Sequence, residues 1–165
     1  MFDINYIEIF KNIPPQWALF FISMLPIAEL RVAIPLGLTI YKLDVITTFI
    51  YSVAGNLVPM FFILYLIDPV SQYLMKHSRI FNKFFTRLFE KTRIKFSKRS
   101  VKYGSFFALV LFVAIPLPLT GCWTGSLAAF LFQIPKKYAI LAISLGVIIA
   151  GIIVTILTTG VINFI

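Results

Sequence analysis

Of 165 residues, 60% are hydrophobic and 13% charged, and the mean hydropathy of +0.96 excludes an ordinary soluble domain: the chain reads as one membrane domain. The formal net charge is +9, and a lone Cys122 excludes an internal disulfide and a cysteine-built metal site. With His77 as the only histidine, Cys122 without an evident base partner and no acidic cluster, the sequence predicts no enzyme, no metal and no cofactor.

The first apolar region, residues 17–41, is broken by Pro26 and Pro35 into halves of about a dozen residues, short for a crossing and suited to a re-entrant hairpin. It carries Glu29 and Arg31. An ionisable side chain in hydrocarbon costs roughly 2.5 to 3.5 kcal/mol, so the pair reads as a transport or binding site, with a buried ion pair that fixes the fold as the alternative. Arg31 keeps its charge and suits phosphate, while Glu29 suits proton coupling. On a continuous helix two residues apart they would point to different sides, so pairing needs the unwinding that Pro26 and Pro35 could supply. A glutamate and an arginine here, without a small-residue cleavage pattern, also argue against a cleavable signal peptide.

Residues 45–67 contain no Asp, Glu, Lys or Arg and are long enough to span about 30 Å of hydrocarbon. Within them Asn56, beside Gly55 and Pro59, either lines the same cavity as Glu29 or hydrogen-bonds between helices.

The connector, residues 68–103, holds ten of the fifteen Lys and Arg, all between Lys76 and Lys102, where the only acid is Glu90, and should be cytoplasmic. Asp68 and Pro69 read as the N-cap and first position of a new helix, so the chain is expected to leave the membrane near Ile67. Lys76, Arg79, Lys83, Arg87 and Lys91 share one helical face and Leu74, Phe81, Phe84, Phe85 and Leu88 the opposite one. This predicts an amphipathic helix on the anionic inner leaflet. Nucleic acid is not needed as a partner, and the basic face alone would enforce topology.

Residues 104–134 form the second broken unit, with AIPLPLTGCWTGSLAA from Ala114 to Ala129 at its centre. Pro116 and Pro118 lack amide donors, Gly121 and Gly125 permit tight turns and close approach, and Thr120, Thr124 and Ser126 offer hydroxyls to freed backbone groups. A helix beginning near Thr120 would aim its positive end at the membrane interior and could hold an anion. Packing alone would also explain the glycines, and Trp123 serves equally as a packing, interface or ligand residue. Residues 138–162 form the second uncharged span.

The order of units, broken then whole, occurs twice. Two copies with one net crossing each are inverted relative to one another, an arrangement used by transporters. The fold expected is therefore all-α, with two inverted repeats, each a re-entrant hairpin plus a transmembrane helix, joined by the basic amphipathic helix. Ala33-Ile34-Pro35-Leu36 is echoed by Ala114-Ile115-Pro116-Leu117. If all four units crossed fully instead, Lys136 and Lys137 would lie outside and Lys11 inside, which charge disfavours only slightly.

Leu25-Pro26, Glu29-Leu30-Arg31, Ala33-Ile34-Pro35 and Gly37, followed at the right separation by IPLPLTGCWTGSLAA, resemble the bacterial and archaeal small multi-drug export family over nearly the whole chain. That family is distantly similar to the DedA and SNARE-associated membrane proteins. The resemblance implies paired hairpins, a multi-pass plasma-membrane location and a role akin to lipid-carrier flipping or proton-dependent transport. It does not extend to the four-helix small multidrug resistance pumps, which have no arginine two positions after their acidic residue. The function expected is movement of an amphipathic, phosphate-bearing substrate by a homodimer. Arg31 and the Thr120–Gly125 turn would bind it, and Glu29 would couple protons. Drug-cation/proton exchange and a non-transporting scaffold are the alternatives.

Overall fold

The computed structural model describes residues 13–79, 82, 83, 86, 99–117 and 120–164. These form six helices: α1 Pro15–Met24, α2 Glu29–Thr39, α3 Val45–His77, α4 Arg99–Ala114, α5 Cys122–Leu131 and α6 Lys136–Phe164. Two of them, α3 and α6, are long and apolar enough to cross a membrane, and the other four are short. Large apolar side chains cover the outside, among them Ile46, Phe62, Tyr65, Leu111, Ile156 and Leu157, each more than half exposed, as expected of a surface solvated by lipid.

Local chemistry explains where the short helices stop. Pro26 has no amide to give the Ile22 carbonyl, which takes the Leu25 amide instead at 3.1 Å, so α1 ends at Met24. Glu29 restarts the helix from a left-handed conformation, φ 45°. Pro35, by contrast, sits inside α2 without breaking it, so the unwinding belongs to Pro26 and residues 25–28 alone.

The expected exit at Ile67 is corrected: α3 runs unbroken through Asp68 and Pro69 to His77. A proline inside a helix removes one amide, here leaving only the Tyr65 carbonyl without its helical donor. The turn is held from outside, since Lys136 at the start of α6 meets Asp68 at 2.6 Å and lies 5.2 Å over the Tyr65 ring. Asp44, not Asp68, is the N-cap of α3, accepting the Thr47 amide at 2.8 Å. Arg87 and Lys91, and most of the expected amphipathic helix, lie outside the described residues. Lys76, Arg79 and Lys83 are described and exposed.

Packing follows a cross-over. Helix α1 lies along α3, and α4 along α6, while α2 packs on both α3 and α6 and α5 on both α6 and α3. Trp17 stacks edge-on to Tyr51 and Phe20 faces Gly55, whereas on the way back Gly37 faces Thr48. The α1–α2 pair thus starts and finishes toward the Val45 end of α3, its bend lying beyond the level of Gly55, more than about 15 Å down the helix. Glycines make these approaches close: a Cβ on Gly55 would overlap the Phe20 carbonyl, and one on Gly125 would overlap Val113. The core between the helices is apolar, centred on Ile34, Met60, Val113, Ile143 and Val147.

Candidate binding site at the meeting of two helix breaks

The break between α1 and α2 and the break between α4 and α5 meet halfway along α3 and α6. Trp123, in the first turn of α5, donates its indole N–H to the Met24 carbonyl at 2.9 Å, supplying a donor where α1 has run out of amides. Arg31 donates from Nη2 to the Thr120 carbonyl at 2.7 Å and lies 3.4 Å from Glu29 Oε2 with the same nitrogen. The left-handed Glu29 backbone lets two residues so close in sequence face each other.

Glu29 is 5% exposed and Arg31 about a quarter. The carboxylate is also held by the other half of the molecule: it accepts the Trp123 amide and rests on Gly121, where a Cβ would overlap it. Gly121, the N-cap of α5, has no side chain to offer, so Glu29, remote in sequence, fills the capping role. The anion expected at this helix N-terminus is therefore the chain's own carboxylate. The guanidinium balances the carboxylate, and each break sets a helix C-terminus beside a helix N-terminus, so the locus is close to neutral overall.

Gly121 is extended, φ 160°, so its lack of a side chain matters for room and not for a turn. The reversal is held by Thr120, whose hydroxyl donates to the Ile115 carbonyl at 2.6 Å and accepts the Leu117 amide at 3.1 Å.

A cavity of about 10 Å³, enough for one water, lies at this junction. Glu29, Arg31, Asn56, Pro116, Thr120 and Gly121 line it, closed off by Val113, Val147, Ala150 and Val154. Six residues singled out from sequence thus come together. Trp123 and Thr124 stand just behind them in the first turn of α5, Gly125 packs on the cavity-closing Val113 without lining the cavity itself, and Pro26 is exposed in the first bend. Pro35 lies further along α2, and Pro118 lies outside the described residues.

Sequence reading missed two polar neighbours of Asn56 on the same face of α3, Ser52 and Thr48, both buried without a partner. The four-residue spacing back from Asn56 was the available signal. It also missed the apolar wall from α6, which carries no polar mark.

A sequence model of the family described as Putative small multi-drug export protein matches residues 29–153, from the site glutamate into α6. No curated protein and no solved structure matches the chain.

Proposed function

For this membrane protein, which belongs to the Putative small multi-drug export protein family, we propose a transporter that moves an amphipathic, phosphate-bearing lipid across the membrane. Arg31 provides the headgroup contact and Glu29 the proton coupling. The observation that carries this reading is the position of Arg31 where the two breaks meet. Its described bonds use Nη2 alone, leaving the other donors of the fork for a phosphate. Protonating Glu29 would weaken its hold on Arg31 and free the guanidinium for an anion, which couples the two charges chemically.

In this reading the two broken units are re-entrant hairpins of inverted repeats. The Asp68–Lys136 pair supports it, because it sets the Asp68 turn of α3 and the start of α6 at one level, as expected if the second broken unit enters and returns. Lys136 and Lys137 would then share the cytoplasmic face with the basic connector. A groove of about 340 Å³ there, lined by Leu64, Ile67, Asp68, Phe130, Gln133 and Lys136, offers a headgroup a first docking place at the inner leaflet, outside the apolar core around Met60. The basic rim of Lys76, His77, Arg79 and Lys83 would gather anionic lipid nearby. The chain would work as a homodimer in a bacterial or archaeal plasma membrane, since so few spans leave little room for an enclosed pathway.

The family description favours a second reading, export of lipophilic cations in exchange for protons. Arg31 opposes it, since a cation would meet a guanidinium beside the only nearby carboxylate among the described residues. The test is flux in proteoliposomes of a fluorescent polyprenyl phosphate and of a lipophilic dye cation, with and without a pH gradient. Phosphate-lipid flux that responds to the gradient is the expected result. Cation flux without phosphate-lipid flux would establish drug/proton exchange, and flux of neither from folded protein would favour a scaffold.

A further inference from the structure

Hydroxyls on the helices of this chain characteristically bond back to their own helix. Thr39 donates to the Pro35 carbonyl at 2.8 Å, Ser126 to Cys122 at 2.7 Å, Thr155 to Gly151 at 2.7 Å and Thr158 to Val154 at 2.8 Å. Three polar side chains of α3 depart from this. Thr48 Oγ1, Ser52 Oγ and Asn56 Oδ1 are buried, belong to residues at most 2% exposed, and have no hydrogen-bond partner. Their spacing of four puts them in one line, about 12 Å long. Each such orphan costs about 1 to 3 kcal/mol, so a row of three points to something that satisfies them together.

The line leads somewhere. Asn56 lines the one-water cavity that Glu29 and Arg31 also line. One turn beyond, the same face becomes apolar: Met60 and Leu64 are at most 3% exposed and belong to the central core, as do Cys122 and Ala129 of α5. The two halves of one helix face thus differ, polar and unsatisfied toward Val45, apolar and closed toward Asp68.

We propose that Thr48, Ser52 and Asn56 hold a file of water that hydrates the Glu29 carboxylate from the Val45 end of α3, while Met60 and Leu64 seal it from the Asp68 end. Hydroxyls both donate and accept, so the file can pass a proton. A proton leaving the inner water forms the O–H bond of the Glu29 carboxylic acid, and the water is reprotonated from the bulk through the file. Around Glu29, the titratable or charged side chains among the described residues are Arg31 on its own helix and the Cys122 thiol on α5, with neutral Asn56 facing it from α3. In the proposed transporter this would let Glu29 load from one side only. The inference rests on that reading for its purpose but not for its test.

Single cysteines at Thr48, Ser52, Met60 and Leu64, in a Cys122→Ala chain, are exposed in proteoliposomes to aqueous silver ion, which is small enough to follow water and consumes thiols. Thiols of Thr48→Cys and Ser52→Cys should be lost roughly tenfold or more faster than those of Met60→Cys and Leu64→Cys. Equal, slow loss at all four would overturn the proposal. The unsubstituted chain gives an independent reading: a brief X-ray pulse in oxygen-18 water marks residues beside bound water. Label between Thr48 and Asn56 but not between Met60 and Leu64 is expected, and the reverse or an even distribution would overturn it. Neither experiment measures flux, so failed hydration and failed transport remain distinguishable.

Discussion

Arg31 and the Thr120 carbonyl, 89 positions apart, are joined at 2.7 Å, a shorter contact than Arg31 makes with its near neighbour Glu29 at 3.4 Å. The guanidinium thus ties one helix break to the other as well as balancing a charge. Removing it strands a buried carboxylate, and Arg31→Ala is predicted to destabilise the protein by about 3 kcal/mol, within the range for breaking a buried pair. Glu29→Gln/Arg31→Ala should lose less than the sum of the single changes. Thermal unfolding in detergent of the four proteins of this cycle checks it, and simple additivity would contradict the coupling.

Gly121 abuts the Glu29 carboxylate with no room for a methyl group. Gly121→Ala is predicted to cost about 1 to 3 kcal/mol through overpacking. Shortening the acid by one methylene, as Glu29→Asp, should recover part of that loss in the double variant. Melting temperatures decide this, and a Gly121→Ala protein as stable as the parent would show that the contact is loose.

The membrane class, the two whole spans and the two breaks were legible because hydropathy, charge and proline are local properties. Family membership was legible in the ELR and IPLPLTGCWTGSLAA motifs and agrees with the match over residues 29–153. Pro35 and Pro69 were misread as helix boundaries, since proline removes only one amide and tertiary contacts, such as Lys136 on Tyr65 and Asp68, can keep a helix going. That Glu29 would cap α5 could not be read, because it depends on the meeting of segments about 90 residues apart. The Thr48–Ser52–Asn56 line was readable in spacing, but its lack of partners is a property of packing alone.

Asp68 and Lys136 should lie on the same face of the membrane. Their side chains are each about two-fifths exposed, so the ion pair itself adds at most about 1 kcal/mol, and its value is as a topological marker. Asp68→Cys and Lys136→Cys, each in a Cys122→Ala chain, should be labelled by a membrane-impermeant maleimide from one and the same side, shared with Lys83→Cys. Labelling of Lys136→Cys from the opposite side would mean that residues 104–134 cross fully.

Asp44 caps α3 through the Thr47 amide, which holds its carboxyl below the usual carboxylate range. A depressed folded value means that the stabilisation is fully present above the ordinary carboxylate pKa and is lost as pH falls through the folded one. Asp44→Asn, which caps without titrating, should melt alike at neutral and acidic pH at this position. Asp44→Ala should melt a few degrees lower at neutral pH, with the gap to the parent closing in acid. Melting curves across that range test the sign, and a gap that widens in acid would refute it.

The central claim, that the Glu29–Arg31 pair at the junction of the two breaks carries a phosphate-bearing lipid, is tested most directly by polyprenyl-phosphate flux in proteoliposomes. The variants to compare with the parent are Arg31→Lys, Arg31→Gln and Glu29→Gln, each verified as folded. Flux should fall about tenfold or more in Arg31→Gln, less in Arg31→Lys, which keeps the charge but not the fork, and lose its dependence on a pH gradient in Glu29→Gln. Parental, gradient-dependent flux in Arg31→Gln and Glu29→Gln would contradict the account.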